Sequence, residues 1–501
     1  MKKILSLLLI VTLTFTVSCK KEAERTVPFE HFRTVKRQLL LAENKNAGEY
    51  LTSREGRVND IVQKYISDFR DKHPDGTTPF LQLKPEIEKS PLFALIRKMP
   101  KGANLHLHAP MAAPVEKLYD LAARTKNLYV YLPKGKDKNE REHGKELGKL
   151  AVFNPKHVPD GFVPFHQAAK KDLPKKELLK LLQIHRGGEK AWGRLRSAHA
   201  RVVPFINSEP EIYKAFLTAA FQDAVDDNID HLELRMRFRP FGNKRYQDVT
   251  QEQALKDAYL AFKRKHPDFS LKIIYTMSKK RHSRGNMILT EYYNMLDLKK
   301  RIKDDFDPEN PVDLIVGTDM AGQEDAAWQF SRMTADFEVL YNQGYLRDLY
   351  LHAGESSRQN SYNVVDAYLL KSNRVGHGTN LYRFPELANK FAEERIPLEI
   401  APVSNHSLGY VKDWRDHPAI EYVRRGIPVV IGSDDPLLFG NNGLSYDFFI
   451  AAVYWDMSLA ELKKFCVNSI KYSAVTDPER EEMMNRWAQR WDDFIDDVLQ
   501  D

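Results

Sequence analysis

From residue 100 onward, short apolar runs alternate with stretches in which apolar residues recur every three or four positions. The runs are Ala103–His108, Ile229–Met236, Leu271–Tyr275, Val312–Gly317, Leu349–His352, Arg374–His377, Leu398–Ala401 and Val429–Ser433. Each has the length of a strand, and near-continuous apolar character predicts parallel strands covered on both faces. The spacers read as helices. Ser208-Glu209-Pro210-Glu211 has the form of a capping box, and Ile212, Phe216, Ala219 and Ala220 continue as one apolar face. Eight such strands with helical spacers predict an α/β fold of the (β/α)8, TIM-barrel type.

Residues 20–95 read as an N-terminal helical arm, and residues 96–501 as the barrel. In the arm, Val58, Ile61, Val62, Tyr65, Ile66 and Phe69 fall on one helical stripe, with Arg57, Asn59, Asp60 and Lys64 off it. Such a stripe must be buried, either on the barrel or on a second subunit, in which case the arm makes a homodimer. The spacer between the first two strands is far longer than the others, so residues 128–200 are read as an insertion on the catalytic face. Its charged run Lys134–Lys149 reads as solvated surface. Met484, Trp487, Trp491, Phe494 and Ile495 mark an amphipathic C-terminal helix.

Composition narrows the class. The 501 residues are 42% hydrophobic and 29% charged, as expected of a globular enzyme. A net charge of +7 is small for this length, and basic residues are interspersed with acidic ones, so nucleic acid is not an expected partner. Lys2 and Lys3 precede an apolar run from Ile4 to Val17 and then Ser18-Cys19. Residues 1–19 therefore read as an export signal, of lipoprotein type with Cys19 as the lipid-bearing residue. This predicts a membrane-anchored protein of the bacterial envelope; an ordinary cleaved signal would leave it periplasmic or secreted. Cys466 lies in an apolar pattern and reads as a buried core residue.

The candidate chemistry sits at the strand ends. His106 and His108 lie two apart on an extended run, so both imidazoles leave one face. His352 ends the fifth strand, and Asp434 follows the eighth, which neighbours the first in a closed barrel. Three histidines and an aspartate with an open position suit one Zn2+. Glu355 and His377 would flank the metal as proton donor and as partner of the attacking water, and Asp435 is placed to hydrogen-bond substrate. The competing readings pair Glu355 with Arg358 and make Asp435 a helix cap. His231-Leu232-Glu233 resembles half of a cytidine-type deaminase motif, but the matching Pro-Cys-x-x-Cys is missing, so a structural role is expected. No lysine ends the fourth strand at Gly317-Thr318-Asp319-Met320-Ala321-Gly322, which favours one metal over two.

These residues together resemble the adenosine deaminase family. Met99-Pro100-Lys101 leading to His106-Leu107-His108, then His352-Ala353-Gly354-Glu355, Arg374-Val375-Gly376-His377-Gly378, Pro402-Val403-Ser404-Asn405 and Ser433-Asp434-Asp435-Pro436 occur in the family's order. Gly443-Leu444-Ser445-Tyr446-Asp447-Phe448 and Asn468-Ser469-Ile470-Lys471-Tyr472-Ser473 resemble the secreted branch, the adenosine deaminase-related growth factors. The resemblance implies one zinc per subunit on His106, His108, His352 and Asp434, with Glu355 protonating purine N1 and His377 orienting and deprotonating water. It also implies that Asp435 contacts N7, that the Gly322 N–H meets N3, that Trp192 lies near the nucleoside, and that the arm forms a dimer. The expected reaction is deamination of adenosine or 2′-deoxyadenosine. Two departures bear on ribose recognition: Ala109 replaces a usual acidic residue, and Thr276-Met277-Ser278-Lys279 lacks a histidine. They leave open another purine substrate, such as a modified adenosine or a free base. A non-catalytic surface factor is the alternative outside enzymes.

Overall fold

Eight parallel strands form the centre of the structure, a computed structural model that describes residues 51–133, 146–279, 287–306 and 313–500, apart from 186, 188 and 189. They are β1 (Gly102–His108), β2 (Ile229–Met236), β3 (Ser270–Ser278), β4 (Ile315–Ala321), β5 (Tyr350–Ala353), β6 (Arg374–His377), β7 (Leu398–Ile400) and β8 (Val429–Ile431). They pair in two parallel runs, β1-β2-β3-β4 and β5-β6-β7-β8. Single bridges join the runs, Thr318 to Leu349 on one side and Leu107 to Asp434 on the other. The ring therefore closes as the predicted barrel. Strand β4 runs further than its apolar pattern predicted. The apolar run stops at Gly317, yet Thr318 and Asp319 continue the strand and are buried, Asp319 against Arg235 and His352 inside the barrel.

Charge fills much of the barrel interior. On β2, His231, Glu233 and Arg235 alternate with Leu232, Leu234 and Met236, and all six are buried. Glu233 pairs with Arg374 of β6, and Arg235 with Glu399 of β7, both on strands that do not adjoin β2. Those contacts can only cross the inside of the cylinder. His231 bonds Ser270 at 2.7 Å and faces Glu233, which fits the structural role expected of that motif.

The helix α1 (Ser53–Lys72) buries Val58, Val62, Ile66 and Phe69, with Ile61 and Tyr65 partly covered. Between β1 and β2 lies a small antiparallel sheet, with Leu128–Tyr131 central between Leu150–Val152 and Phe162–Pro164. Residues 134–145 of the charged run lie outside the described residues, as do residues 1–50 with Cys19. The helices α2 (Ala191–Ile206) and α3 (Pro210–Asp226) lead to β2. The expected capping box at Ser208 does not form: its hydroxyl donates to the Phe205 carbonyl at 2.7 Å, and α3 starts without a side-chain cap. After the short helix Pro436–Phe439 come three longer helices, α4 (Ser445–Tyr454), α5 (Leu459–Lys471) and α6 (Asp477–Gln500).

The stripe on α1 is covered by α4, α5 and α6 of the same chain. Phe69 meets Phe449 edge-on at 4.8 Å, and the buried Trp491 of α6 reaches Glu55 of α1. Its burial thus needs no second subunit. Each of these apolar side chains contributes roughly 1.5–3 kcal/mol when fully covered. Cys466 is buried within α5.

Glu55 fastens α1 at three points. It completes the capping box with Thr52, accepts from Lys463 at 2.6 Å and accepts from the Trp491 indole at 2.8 Å. Burial pushes its carboxyl up, but Lys463, the Thr52 N–H and Trp491 outweigh burial and hold it at about 2. A depressed folded-state value contributes stability above the ordinary glutamate value near 4.5, lost as pH falls through about 2. Glu55→Ala is expected to destabilise the protein by about 2–3 kcal/mol at neutral pH. The deficit should shrink as the wild type is acidified, read by denaturant melts at several pH values; a pH-independent deficit would remove the ionic part of this account.

Candidate functional site

The C-terminal ends of the barrel strands surround a cavity of about 680 Å3. Its wall includes His108, His352, Glu355, His377, Asp434 and Asp435, with Trp192 and Gly322 at the same cavity. His106 lies behind the wall, fully buried.

His106, His108, His352 and Asp434 converge as predicted: one ligand atom from each lies within 4.8 Å of the others. The Nε2 atoms of His108 and His352 are 3.3 Å apart, and Asp434 Oδ1 lies 3.2 Å from His108 Nε2 and 3.6 Å from His106 Nε2. Ligands about 2.0–2.1 Å from one tetrahedral ion have such separations. The buried His106 Nε2 has no hydrogen-bond partner, which would be costly without something to bind. Three imidazole nitrogens and one carboxylate oxygen fit a zinc-like cation. Burial, outweighing the nearby Asp319 charge, pushes His352 down to about 3, so it is a neutral donor.

Local backbone geometry aims these groups. Asp434 joins β1 through its N–H to the His106 carbonyl and its carbonyl to the His108 N–H, both 2.9 Å. It therefore closes the barrel and supplies the carboxylate at once. His377 and Asp434 both leave their strands with left-handed φ, 67° and 61°. That conformation costs roughly 1–2 kcal/mol for a residue with a Cβ. Gly432 keeps space for His106, since a Cβ there would sit 2.6 Å from the His106 Cβ.

Sequence reasoning missed the groups that hold the ligands. His106 Nδ1 bonds Glu399 at 2.8 Å, and His352 Nδ1 bonds Asp319 at 2.6 Å. Ser404 donates to Asp434 Oδ2 at 2.6 Å. Carboxylates behind ligating imidazoles fix both tautomer and ring orientation. Arg235 bonds Asp319 at 3.0 Å and Glu399 at 2.5 Å, while Arg374 bonds Glu399 at 2.6 Å and also pairs with Glu233. The signal was present in Leu398-Glu399-Ile400, a lone acid inside an apolar strand, which implies a buried partner.

Glu355 and His377 stand beside the cluster, with Oε1 and Nε2 3.7 Å apart. Glu355 makes no pair with Arg358, whose guanidinium is directed to Asp325. Burial, reinforced by the Asp434 charge, raises the Glu355 carboxyl well above its ordinary value, which favours its acid form. Burial drives the His377 imidazole well down. Asp435 stands at the N-cap of the following helix, but its side chain makes no cap bond; its Oδ1 is buried without a partner, and burial raises the carboxyl to about 7. The arrangement presents a cation site, a buried acid and a second buried carboxyl around one space. Trp192 is held by its indole N–H donating to Tyr410 at 2.8 Å, and Gly322 follows β4 with φ 132°.

Comparison with known proteins agrees with this geometry. The family profile described as adenosine deaminase matches residues 159–490. That span excludes β1 and so two of the four candidate ligands, which the fold returns to the cluster. Adenosine deaminase 2 of Dictyostelium discoideum is 29% identical over 470 residues, 89% of this chain and 83% of that protein. Adenosine deaminase 2 of Homo sapiens is 28% identical, over 84% of this chain and 83% of that protein. Among solved structures, a Burkholderia ambifaria amidohydrolase with bound Zn has a TM-score of 0.57 at 18% identity, covering 82% of this chain and 95% of that one. Adenine deaminase of Arthrobacter aurescens has a TM-score of 0.54 at 19% identity, covering 80% and 100%. Both share the fold.

Asp319→Asn keeps the side-chain shape but removes the charge behind His352. It is expected to weaken zinc retention by about 10–100-fold, read by competition with a chromogenic chelator. Unchanged affinity would show that Asp319 serves the barrel and not the ligand.

Proposed function

The chain belongs to the adenosine deaminase family, and on that premise we propose that it hydrolyses the exocyclic C–N bond of adenosine or 2′-deoxyadenosine, giving the inosine product and ammonia. The observation that carries this reading is a buried, protonatable Glu355 beside the cluster of His106, His108, His352 and Asp434, all on one cavity or at its wall. Those four residues would hold one zinc ion per subunit. Such an ion supplies the Lewis acidity that makes water nucleophilic near neutral pH.

The chain's own groups then divide the work. Glu355, as the acid, gives its proton to purine N1, which draws electrons from C6 and opens it to attack. His377 hydrogen-bonds the attacking water on the other side. The unpartnered Asp435, whose acid form is accessible near pH 7, donates to N7. The Gly322 N–H would meet N3, and Trp192 would flank the nucleoside. Loss of ammonia leaves a carbonyl at C6.

A second reading, another purine such as a modified adenosine or a free base, is supported by Ala109, which puts a methyl group rather than a polar group in the cavity wall beside His108. The convergence of metal-ligand and acid groups supports an enzyme over a non-catalytic surface factor. Lys2 to Cys19 supports export to the cell envelope with a lipid at Cys19. Among the described residues no helix is long and apolar enough to cross a membrane. A homodimer is supported by the family resemblance of the arm, not by any apolar stripe left uncovered.

The test is ammonia release by zinc-loaded protein from adenosine, 2′-deoxyadenosine, N6-methyladenosine and adenine. Turnover of adenosine or its 2′-deoxy form is expected, and exclusive turnover of another member would favour the second reading. Glu355→Gln should lower kcat by about 10²–10⁴-fold with zinc content unchanged. Because the acid form is needed and its pKa is raised, wild-type kcat/KM should persist beyond the ordinary glutamate range and fall as Glu355 deprotonates at higher pH. Full activity in Glu355→Gln would remove the residue from the mechanism.

A further inference from the structure

Behind His377 runs a buried chain of hydrogen bonds that neither the ligand cluster nor the acid uses. The Ala419 backbone N–H donates to His417 Nδ1 at 3.0 Å. His417 Nε2 lies 3.2 Å from Asn405 Oδ1, and Asn405 Nδ2 lies 3.2 Å from His377 Nδ1. All three side chains are buried: Asn405 is 0% exposed, and His377 and His417 are 1% exposed.

The polarity of this chain is fixed at its far end. A backbone N–H can only donate, so His417 Nδ1 must accept and carries no proton. Burial, with some repulsion from His406, pushes the His417 imidazole down to about 3, so it is neutral and its single proton sits on Nε2. That proton goes to Asn405 Oδ1, which fixes the amide orientation, so Asn405 Nδ2 faces His377 as a donor. His377 Nδ1 is then an acceptor, and in the neutral ring the proton is on Nε2. That nitrogen faces Glu355, 3.7 Å away, and belongs to the grouping of Glu355, His377 and Asp434 at the cavity.

We propose that His417 is a positioning residue which, through Asn405, holds neutral His377 as the Nε2–H tautomer, so that His377 meets the attacking water as a hydrogen-bond donor. The inference refines the proposed deamination and rests on it only for its kinetic consequences. A ring that already carries its proton on the cavity side orients an oxygen and stabilises negative charge on it; it cannot take a further proton there while neutral. The elements that set the tautomer are rigid. Asn405 is in the helix Pro402–Ser407 after β7, its backbone N–H bonded to the Ala401 carbonyl at 2.9 Å. The His417 ring rests against Trp455, with centroids 4.6 Å apart.

The decisive experiment reads the tautomer directly, by long-range proton–nitrogen correlation of zinc-loaded protein with 15N-labelled histidine, His377 being identified by its loss in His377→Asn. The expected result is an unprotonated Nδ1 and a protonated Nε2; the reverse tautomer overturns the proposal, whether or not any purine is deaminated. Kinetics supply the second arm. His417→Gln keeps an acceptor for Ala419 and a donor for Asn405, whereas His417→Phe keeps only the ring against Trp455. His417→Phe should lower kcat at least about tenfold, with KM and bound zinc little changed, and His417→Gln should recover most of it. Asn405→Asp, which can only accept, should force the proton onto His377 Nδ1 and lower kcat by about 10²–10⁴-fold, as wrong-tautomer histidines do elsewhere. Equal turnover in His417→Phe and wild type, or a flipped tautomer with unchanged turnover, would overturn the positioning role. If the wild type deaminates none of the purines, the deaminase reading fails, and the nitrogen spectrum alone decides this one.

Discussion

Two carboxylates, Glu399 and Asp319, hold the candidate metal-ligand imidazoles of His106 and His352 from inside the barrel, and both are held in turn by Arg235. None of these three side chains is more than 1% exposed, so each charge must be matched locally. Burial alone would raise both acids, yet the arginine and the imidazoles outweigh it and keep both carboxyls well below the usual range. The result is a lattice of fixed charge running from Glu233 through Arg374, Glu399 and Arg235 to Asp319. Breaking one link strands a buried ion and costs about 3–5 kcal/mol. The orientation of the site is thus tied to the stability of the fold, because the same atoms serve both.

The open side of the barrel is organised by different means. Asp434 closes the ring with two backbone hydrogen bonds to β1, and its left-handed turn directs the carboxylate toward His108. His377 makes a comparable turn after β6 and is backed by Asn405 and His417. Such turns are unfavourable in isolation and persist because packing overdetermines them. Glu355 lacks that support. Burial and the neighbouring Asp434 charge make its ionisation costly and raise its carboxyl above the ordinary range. Rigid ligands and a poised acid are what hydrolysis of a C–N bond requires, since the groups must be in place before charge develops.

The strand order, the barrel and the convergence of His106, His108, His352 and Asp434 were legible because they depend on local pattern. His106 and His108 share a face by the two-residue repeat, and Asp434 and His352 follow apolar runs whose ends a barrel gathers together. Strand β4 runs past the apolar pattern that ends at Gly317, because Asp319 is a buried charge whose partners, Arg235 and His352, are remote in sequence. The capping box at Ser208 was a local motif whose hydroxyl found the Phe205 carbonyl instead. The stripe on α1 was visible, but not what covers it.

By itself, then, the chain marked the candidate residues for metal-binding and acid–base chemistry, and placed them at strand ends, since residue type and periodicity are properties of short segments. The tertiary structure alone decided which carboxylate stands behind which imidazole, that the arm lies on its own C-terminal helices, and which nitrogen of His377 faces the cavity. Those outcomes depend on pairings between residues as far apart as Glu399 and His106, or Glu55 and Trp491. Hydrogen bonds of that kind have no period, and so leave no mark in the local pattern from which they could be read.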